Sequence, residues 1–284
     1  MKHQNNIKEA IVLAGGLGTR LRSVIPDLPK CMAPVAGKPF LAYLIDYFVR
    51  QGIEKFIFAL GYKSEDFEDF LRSKLAKADG GGGAGAVGSG VGAAGAGVDG
   101  AGGSVGHAEG PCDAGGPHYE LSVEKEPLGT GGAIRLACGK ASRQNVLVLN
   151  GDTFFGIGLH ELSAFHDRQQ ADCTLCLKPM KNFDRYGVVE LGQDQRIRDF
   201  REKQFYETGL INGGVYALNV PRFMEKPMPE KFSFEKDWLE KFHASQRMCG
   251  LVQDEYFIDI GIPEDYERAQ RELPDALRMK EDSR

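Results

Sequence analysis

The first half of the chain alternates between short, uniformly apolar runs and stretches with helical spacing. Residues 10–14 (Ala-Ile-Val-Leu-Ala) and 146–149 (Val-Leu-Val-Leu) carry no polar interruption, the pattern of strands buried on both faces of a parallel sheet. Leu41, Leu44, Ile45 and Phe48 recur at three and four residues and predict a helix over 40–51. A strand over 55–60, a helix over 65–75, a strand over 120–123 and a helix over 131–138 continue the order. This alternation predicts an α/β fold, a doubly wound and mostly parallel sheet with ligands at the carboxyl ends of the strands.

The second half is richer in strands, predicted over 172–178, 187–191, 195–201 and 210–218, with short helices near 234–243 and 264–271. It reads as a lobe packed on the same sheet, so the chain is one domain with halves 7–152 and 153–272. No hexapeptide repeat follows. Residues 273–284 read as a charged tail. Residues 79–117 are dominated by Gly, Ala and Ser and contain no Lys or Arg, too little apolar surface to offset ordering the backbone. They are expected to form a flexible insert in a connection that needs only a few residues.

Composition removes several function classes. The 284 residues carry a net charge of −5 and no dense basic run, which argues against a nucleic-acid partner. No apolar stretch approaches the roughly 18 residues of a membrane span, and the start is polar, so neither a membrane partner nor a secretory signal is expected and the location reads as cytoplasmic. The six cysteines are scattered and read as reduced thiols. Cys173 and Cys176 match CxxC, but within a strand-like run and without a second pair to complete a zinc site.

Chemistry concentrates where the apolar runs end. Leu13-Ala14-Gly15-Gly16-Leu17-Gly18-Thr19-Arg20-Leu21 follows the first strand, and Pro29-Lys30 closes the segment. Glycines let main-chain N–H groups approach phosphate oxygens, while Arg20 and Lys30 supply two positive charges, a composition suited to a nucleoside triphosphate. A dinucleotide fingerprint is excluded because Leu21 stands where a third Gly or Ala is needed, and GxxxxGK[ST] is absent. Alone, the glycines would better suit a tight strand-to-helix turn with a surface Arg.

Asn150-Gly151-Asp152 ends the 146–149 run, and Asp259 interrupts a second buried-looking run, Tyr256 to Pro263. Two such acids beside a triphosphate loop suit Mg²⁺, which takes one or two carboxylates plus phosphate oxygens. Lys125-Glu126-Pro127-Leu128-Gly129-Thr130-Gly131-Gly132-Ala133 opens a helix with a glycine wall against which a flat base could lie. Asp184-Arg185-Tyr186-Gly187, Arg201-Glu202-Lys203 and Leu210-Ile211-Asn212-Gly213-Gly214 sit at strand edges and offer hydroxyl partners and cations, as a sugar phosphate requires.

Taken in order, these motifs resemble the sugar-1-phosphate nucleotidyltransferases, and among them the D-glycero-α-D-manno-heptose 1-phosphate guanylyltransferases. SVIPDLPK, EKEPLGTGGAI, LNGDTFF, FDRYG, GLINGG and YFIDIGIPEDY carry the resemblance over residues 10–266, the insert excepted. It implies a Rossmann-like nucleotide-diphospho-sugar transferase fold, with 7–152 as the nucleotide-binding half and 153–272 as the sugar-binding half. It also implies Mg²⁺ and nucleotidyl transfer from a triphosphate, GTP, to a sugar 1-phosphate, with Arg20, Lys30, Asp152 and Lys203 as the catalytic set. By position, the nucleotide falls to Leu13, Ala14, Gly15, Gly16, Gly18, Thr19, Arg20, Lys30, Glu126, Gly131 and Gly151. Tyr186, Gly187, Glu202, Lys203 and Asn212 take the sugar phosphate, and Asp152 and Asp259 the metal. Cys31 and Gln204 stand where the family usually has Pro, which implies altered loop stiffness with retained chemistry. Uridylyl or thymidylyl transfer to another hexose 1-phosphate, or sensing without turnover, are the rival readings, and a homo-oligomer is compatible with the pattern.

Overall fold

The computed structural model describes residues 6–15, 28–61, 67 and 116–282, without the side chains of 280–282. Gly16, Gly18, Thr19 and Arg20, the helix over 65–75 apart from Phe67, and positions 79–115 of the insert lie outside the described residues. In chain order the strands are β1 (Glu9–Leu13), β2 (Pro34–Val35), β3 (Lys38–Pro39), β4 (Lys55–Leu60), β5 (His118–Val123), β6 (Asn145–Asn150) and β7 (Thr153–Phe155). They continue as β8 (Cys173–Phe183), β9 (Val188–Leu191), β10 (Ile197–Arg201), β11 (Tyr206–Asn219), β12 (Met248–Val252) and β13 (Phe257–Asp259). The helices are α1 (Phe40–Arg50), α2 (Gly129–Cys138), α3 (Leu159–Gln169), α4 (Val220–Met224) and α5 (Pro263–Asp282).

Nine strands share one sheet, in the order β10-β9-β11-β6-β1-β4-β5, with β8 pairing β11 and β12. The block β6-β1-β4-β5 is parallel throughout, as the uninterrupted apolar runs predict. The second half joins it through β11, which runs antiparallel to β6. Strand alternation divides the core into two layers. Val12, Phe56, Phe58, Leu147 and Leu149 face one layer with Phe40, Leu44 and Phe48 of α1. Ile11, Ile57, Val146 and Val148 face the other with Ile134 of α2, Phe223, Phe234 and Trp238.

Elements over 10–14, 40–51, 55–60, 120–123, 131–138, 146–149, 172–178, 187–191, 195–201 and 210–218 are all present, with ends shifted by a few residues. The predicted helix near 234–243 is a π-helical turn, Phe234–Leu239, continuing into Glu240–Phe242. The largest revision concerns the tail, because α5 runs on through residue 282 and includes Pro274. Leu273 and Leu277 are buried in the first core layer, so this segment packs rather than projecting as a tail. It docks on the β2–β3 hairpin: Gln270 Nε2 donates to the Pro34 carbonyl at 2.9 Å and Ala36 N donates to Gln270 Oε1 at 2.8 Å. Among the described residues no helix is long and apolar enough to cross a membrane.

Cys173 and Cys176 lie three positions apart on β8, so alternation sends them to opposite core layers and no metal or redox pair forms between them. On α3, the imidazole of His166 is 1% exposed, with Nδ1 2.9 Å from the Thr174 hydroxyl. Burial holds its pKa down at about 4, against the opposing pull of Asp167 and Asp172. Above pH 6.5 the ring is neutral folded and unfolded, so it adds no pH dependence. Below pH 6.5 the unfolded chain takes up a proton that the folded chain refuses until about pH 4, so stability falls with acidity over that window. This group alone should remove about 3 kcal/mol on full acidification. Urea unfolding at pH 7.5 and 4.5 should show His166→Gln losing less stability on acidification than the wild type, and an unchanged loss would contradict this account.

Candidate active site

The site is built where β1, β4 and β6 end together. Ala14 N donates to the Ala59 carbonyl at 2.9 Å, and Gly151 N donates to the Leu13 carbonyl at 2.9 Å. These contacts leave no room for side chains: a Cβ on Gly151 would stand 2.5 Å from the Leu13 oxygen, and one on Gly15 would stand 2.6 Å from Gly61 N. Two glycines read as ligand-facing thus also serve the close approach of neighbouring strand ends. The 3₁₀ turn Lys30–Met32 lies against this junction, with buried Cys31 as its wedge. Its sulfur is 3.9 Å from the Ala14 carbonyl oxygen. Burial and the charge of Asp152 push the Cys31 thiol up to about 12, so it is neutral packing.

Lys30 reaches back from this turn to place Nζ 3.2 Å from Asp152 Oδ2. The β7–β13 pair supplies the second acid, since Asp259 is in register with Thr153 and Ile260 N donates to the Asp152 carbonyl at 3.0 Å. Asp259 Oδ1 accepts from Gly261 N at 2.8 Å, and Oδ2 accepts from the Tyr186 hydroxyl at 3.4 Å. Its pKa is raised by burial and then by the charge of Asp152, while the Gly261 hydrogen bond, Lys30 and Arg185 pull the other way. The carboxylates therefore feel each other. Two like charges held together in a partly dry site call for a cation, and this donor set suits a hard one.

A cavity of about 460 Å³ opens beside this pair, lined by Leu13, Ala14, Gly15, Lys30 and Asp152 and walled by the start of α2. Here the expected residues shift. Glu124, not Glu126, lines the cavity, and its Oε2 accepts from Leu128 N at 2.8 Å. Glu126 is exposed outside it, since the chain turns between the two. Gly131 likewise does not line the cavity; it packs against Phe232, where a Cβ would lie 2.2 Å from the ring, and Gly129, Thr130 and Ala133 form the wall. Glu235 and Asn150 also line the cavity; Glu235 has no glycine beside it to mark it, and Asn150 reads in the sequence only as the end of its strand before Gly151.

A second cavity of about 230 Å³ is lined by Asp259 together with Arg185, Tyr186, Asp265 and Arg268. The Arg185 guanidinium lies 5.4 Å from the centre of the Tyr186 ring and pairs with Asp265. Asn212 Nδ2 donates to the Tyr216 hydroxyl at 2.9 Å, and its Oδ1 accepts from Gly214 N at 3.1 Å within a bulge of β11. Gly187 serves strand pairing, because a Cβ would stand 2.5 Å from the Arg201 carbonyl oxygen. Glu202 and Lys203 are exposed in the turn between β10 and β11 and line neither cavity. Lys30, Asp152, Asp259 and Tyr186 are thus brought together, and Glu202 and Lys203 are not.

Comparison with known proteins identifies relatives over most of the chain. Residues 9–276 match the model of the nucleotidyl transferase family. The chain is 42% identical over 265 residues to D-glycero-alpha-D-manno-heptose 1-phosphate guanylyltransferase of Aneurinibacillus thermoaerophilus, covering 93% of this chain and 98% of that protein. Identity to the Campylobacter jejuni protein of the same name is 38%, over 91% and 96% of the two chains. The crystal structure of HddC from Yersinia pseudotuberculosis complexed with GMP-PN superposes with a TM-score of 0.70 at 31% identity, covering 94% of this chain and 100% of that one.

The Gly151 junction sets a stability test. Gly151→Ala should cost about 1–3 kcal/mol by forcing β1 and β6 apart at their ends, read as a lower urea midpoint, and an unchanged midpoint would show that the contact yields freely.

Proposed function

The chain belongs to the nucleotidyl transferase family, and from that premise we propose that it transfers GMP from GTP to D-glycero-α-D-manno-heptose 1-phosphate, releasing pyrophosphate. The observation that carries the reading is that Lys30 and Asp152 are paired on the wall of the larger cavity, while strand pairing holds Asp259 beside Asp152 on the wall of the second. A 1-phosphate oxygen of the sugar attacks the α-phosphorus in line, forming the new P–O bond as the bond to the β-phosphate oxygen breaks. That oxygen is already ionised near neutral pH, so no general base is required. Positioning and charge neutralisation supply the catalysis. Lys30 offsets the negative charge gathering at Asp152 and the triphosphate, Arg20 is assigned to the departing pyrophosphate, and Lys203 to the incoming sugar phosphate.

Among the described residues no group of three or more His, Cys, Asp or Glu side chains is arranged for a metal, so Mg²⁺ would rest on Asp152 and Asp259 together with phosphate oxygens. Bound there, it would screen the α-phosphoryl oxygens and the leaving group. The neighbouring carboxylates and the raised pKa of Asp259 fit a hard cation. Tyr186 and Gly261 each hold one Asp259 oxygen by a hydrogen bond.

A pyrophosphate-release screen should give the highest turnover with GTP and the heptose 1-phosphate, requiring Mg²⁺. Equal or better rates with UTP or dTTP would replace the guanylyl assignment with one of its rivals, and no turnover with any triphosphate would favour a sensor.

Asp152→Asn and Asp259→Asn should each lower kcat at least about a hundredfold at saturating Mg²⁺ while the fold survives. Near-normal kcat in either variant would remove that residue from the metal site.

A further inference from the structure

Thr130 and Ser233 hold Glu235 in a polar cluster that the mechanism above leaves unused. Glu235 lines the same cavity as Lys30 and Asp152. Its Oε2 accepts hydrogen bonds from the Thr130 hydroxyl at 2.7 Å and the Ser233 hydroxyl at 3.1 Å. Thr130 is itself held by the backbone, because its hydroxyl oxygen accepts from Phe234 N at 2.9 Å. The carboxylate is therefore pinned through one oxygen, and its hydrogen bonds among the described residues all fall on that atom.

We propose that Glu235 is a sugar-reading residue whose second carboxylate oxygen, Oε1, accepts hydrogen bonds from hydroxyls of the sugar 1-phosphate. The inference rests on the sugar-nucleotidyl reading above. A carboxylate is an acceptor without donors, so it suits hydroxyl or N–H groups and repels phosphate. Position selects the hydroxyls. Phe234, adjacent in the chain, packs edge-on against Tyr216 with ring centres 5.1 Å apart, and the Tyr216 hydroxyl accepts from Asn212. The charge of Glu235 is felt at that phenol, whose pKa it raises in addition to burial. Glu235 is thus linked through Phe234 and through its charge to Tyr216, whose hydrogen-bond partner Asn212 the motif resemblance assigns to the sugar phosphate. Glu124, the cavity's other glutamate, follows β5 and is engaged with Leu128 N. Burial of Phe234 and Trp238, stacked with ring centres 5.0 Å apart, anchors the turn from which Glu235 projects.

The test is calorimetric titration of the full chain with GDP and with the GDP-heptose product. Glu235→Ala should leave the GDP Kd within about twofold and weaken GDP-heptose by about 10–100-fold, the loss expected for a hydrogen bond to a charged group. The near-isosteric Glu235→Gln keeps an acceptor oxygen and should recover to within about tenfold of the wild type, so the test survives if the alanine variant folds poorly. In kinetics, the sugar 1-phosphate KM should rise while the GTP KM holds. Equal weakening of GDP and GDP-heptose would make Glu235 a nucleotide contact and overturn the proposal, as would unchanged binding of both. Failure of the wild-type protein to make any GDP-sugar would overturn the parent reading as well, an outcome visible before any variant is compared.

Discussion

The parallel, in-register pairing of β1 with β6 is the constraint on which the rest of the structure depends. It sets Leu13 opposite Asn150, so the chain leaves both strands at the same level and on the same edge of the sheet. Everything the site needs then issues from that edge: the glycine-rich segment after β1 and Asp152 after β6. Backbone chemistry enforces the arrangement, since Gly151 N and the Leu13 carbonyl satisfy each other where the ladder would otherwise fray. The hydrophobic layers on the two faces hold the strands in place, and the polar residues inherit their positions from them.

That division of labour shows in the magnitudes. The Lys30–Asp152 pair is partly exposed, at 21% and 32%, and ion pairs so placed add only about 0–1 kcal/mol to stability. Its importance is local and electrostatic. Asp259 is the contrasting case: burial and a neighbouring like charge both oppose its ionisation, and a backbone N–H, a tyrosine hydroxyl and two cations are arrayed around it. A buried acid supported in this way is costly as structure and useful as chemistry.

Strands buried on both faces were legible because their apolar runs have no competing interpretation, and the glycine, lysine and aspartate motifs were legible because they end those runs. Distinctions within a motif were not. Among the glycines of 129–132, only the fold shows that Gly129 lines the cavity and Gly131 does not, although both lie too close to Phe232 for a Cβ. Choosing between Glu124 and Glu126 likewise depends on a turn whose direction tertiary packing decides. The final helix escaped recognition beyond residue 271 because Pro274 and its charges mask two apolar anchors, Leu273 and Leu277. α3 is hard to read because its apolar residues are few, and β12 because its apolar run, Met248–Val252, is short, interrupted by Gly250 and paired through β8.

The docking of α5 on the β2–β3 hairpin has a consequence for how the molecule comes into being. Lys30 precedes that hairpin and Asp259 precedes α5, so the two sides of the charged centre are braced by segments far apart in the chain. A ribosome delivers the first side well before the second. A nascent chain halted after β12 would carry Lys30 and Asp152 but neither Asp259 nor the helix that backs the hairpin.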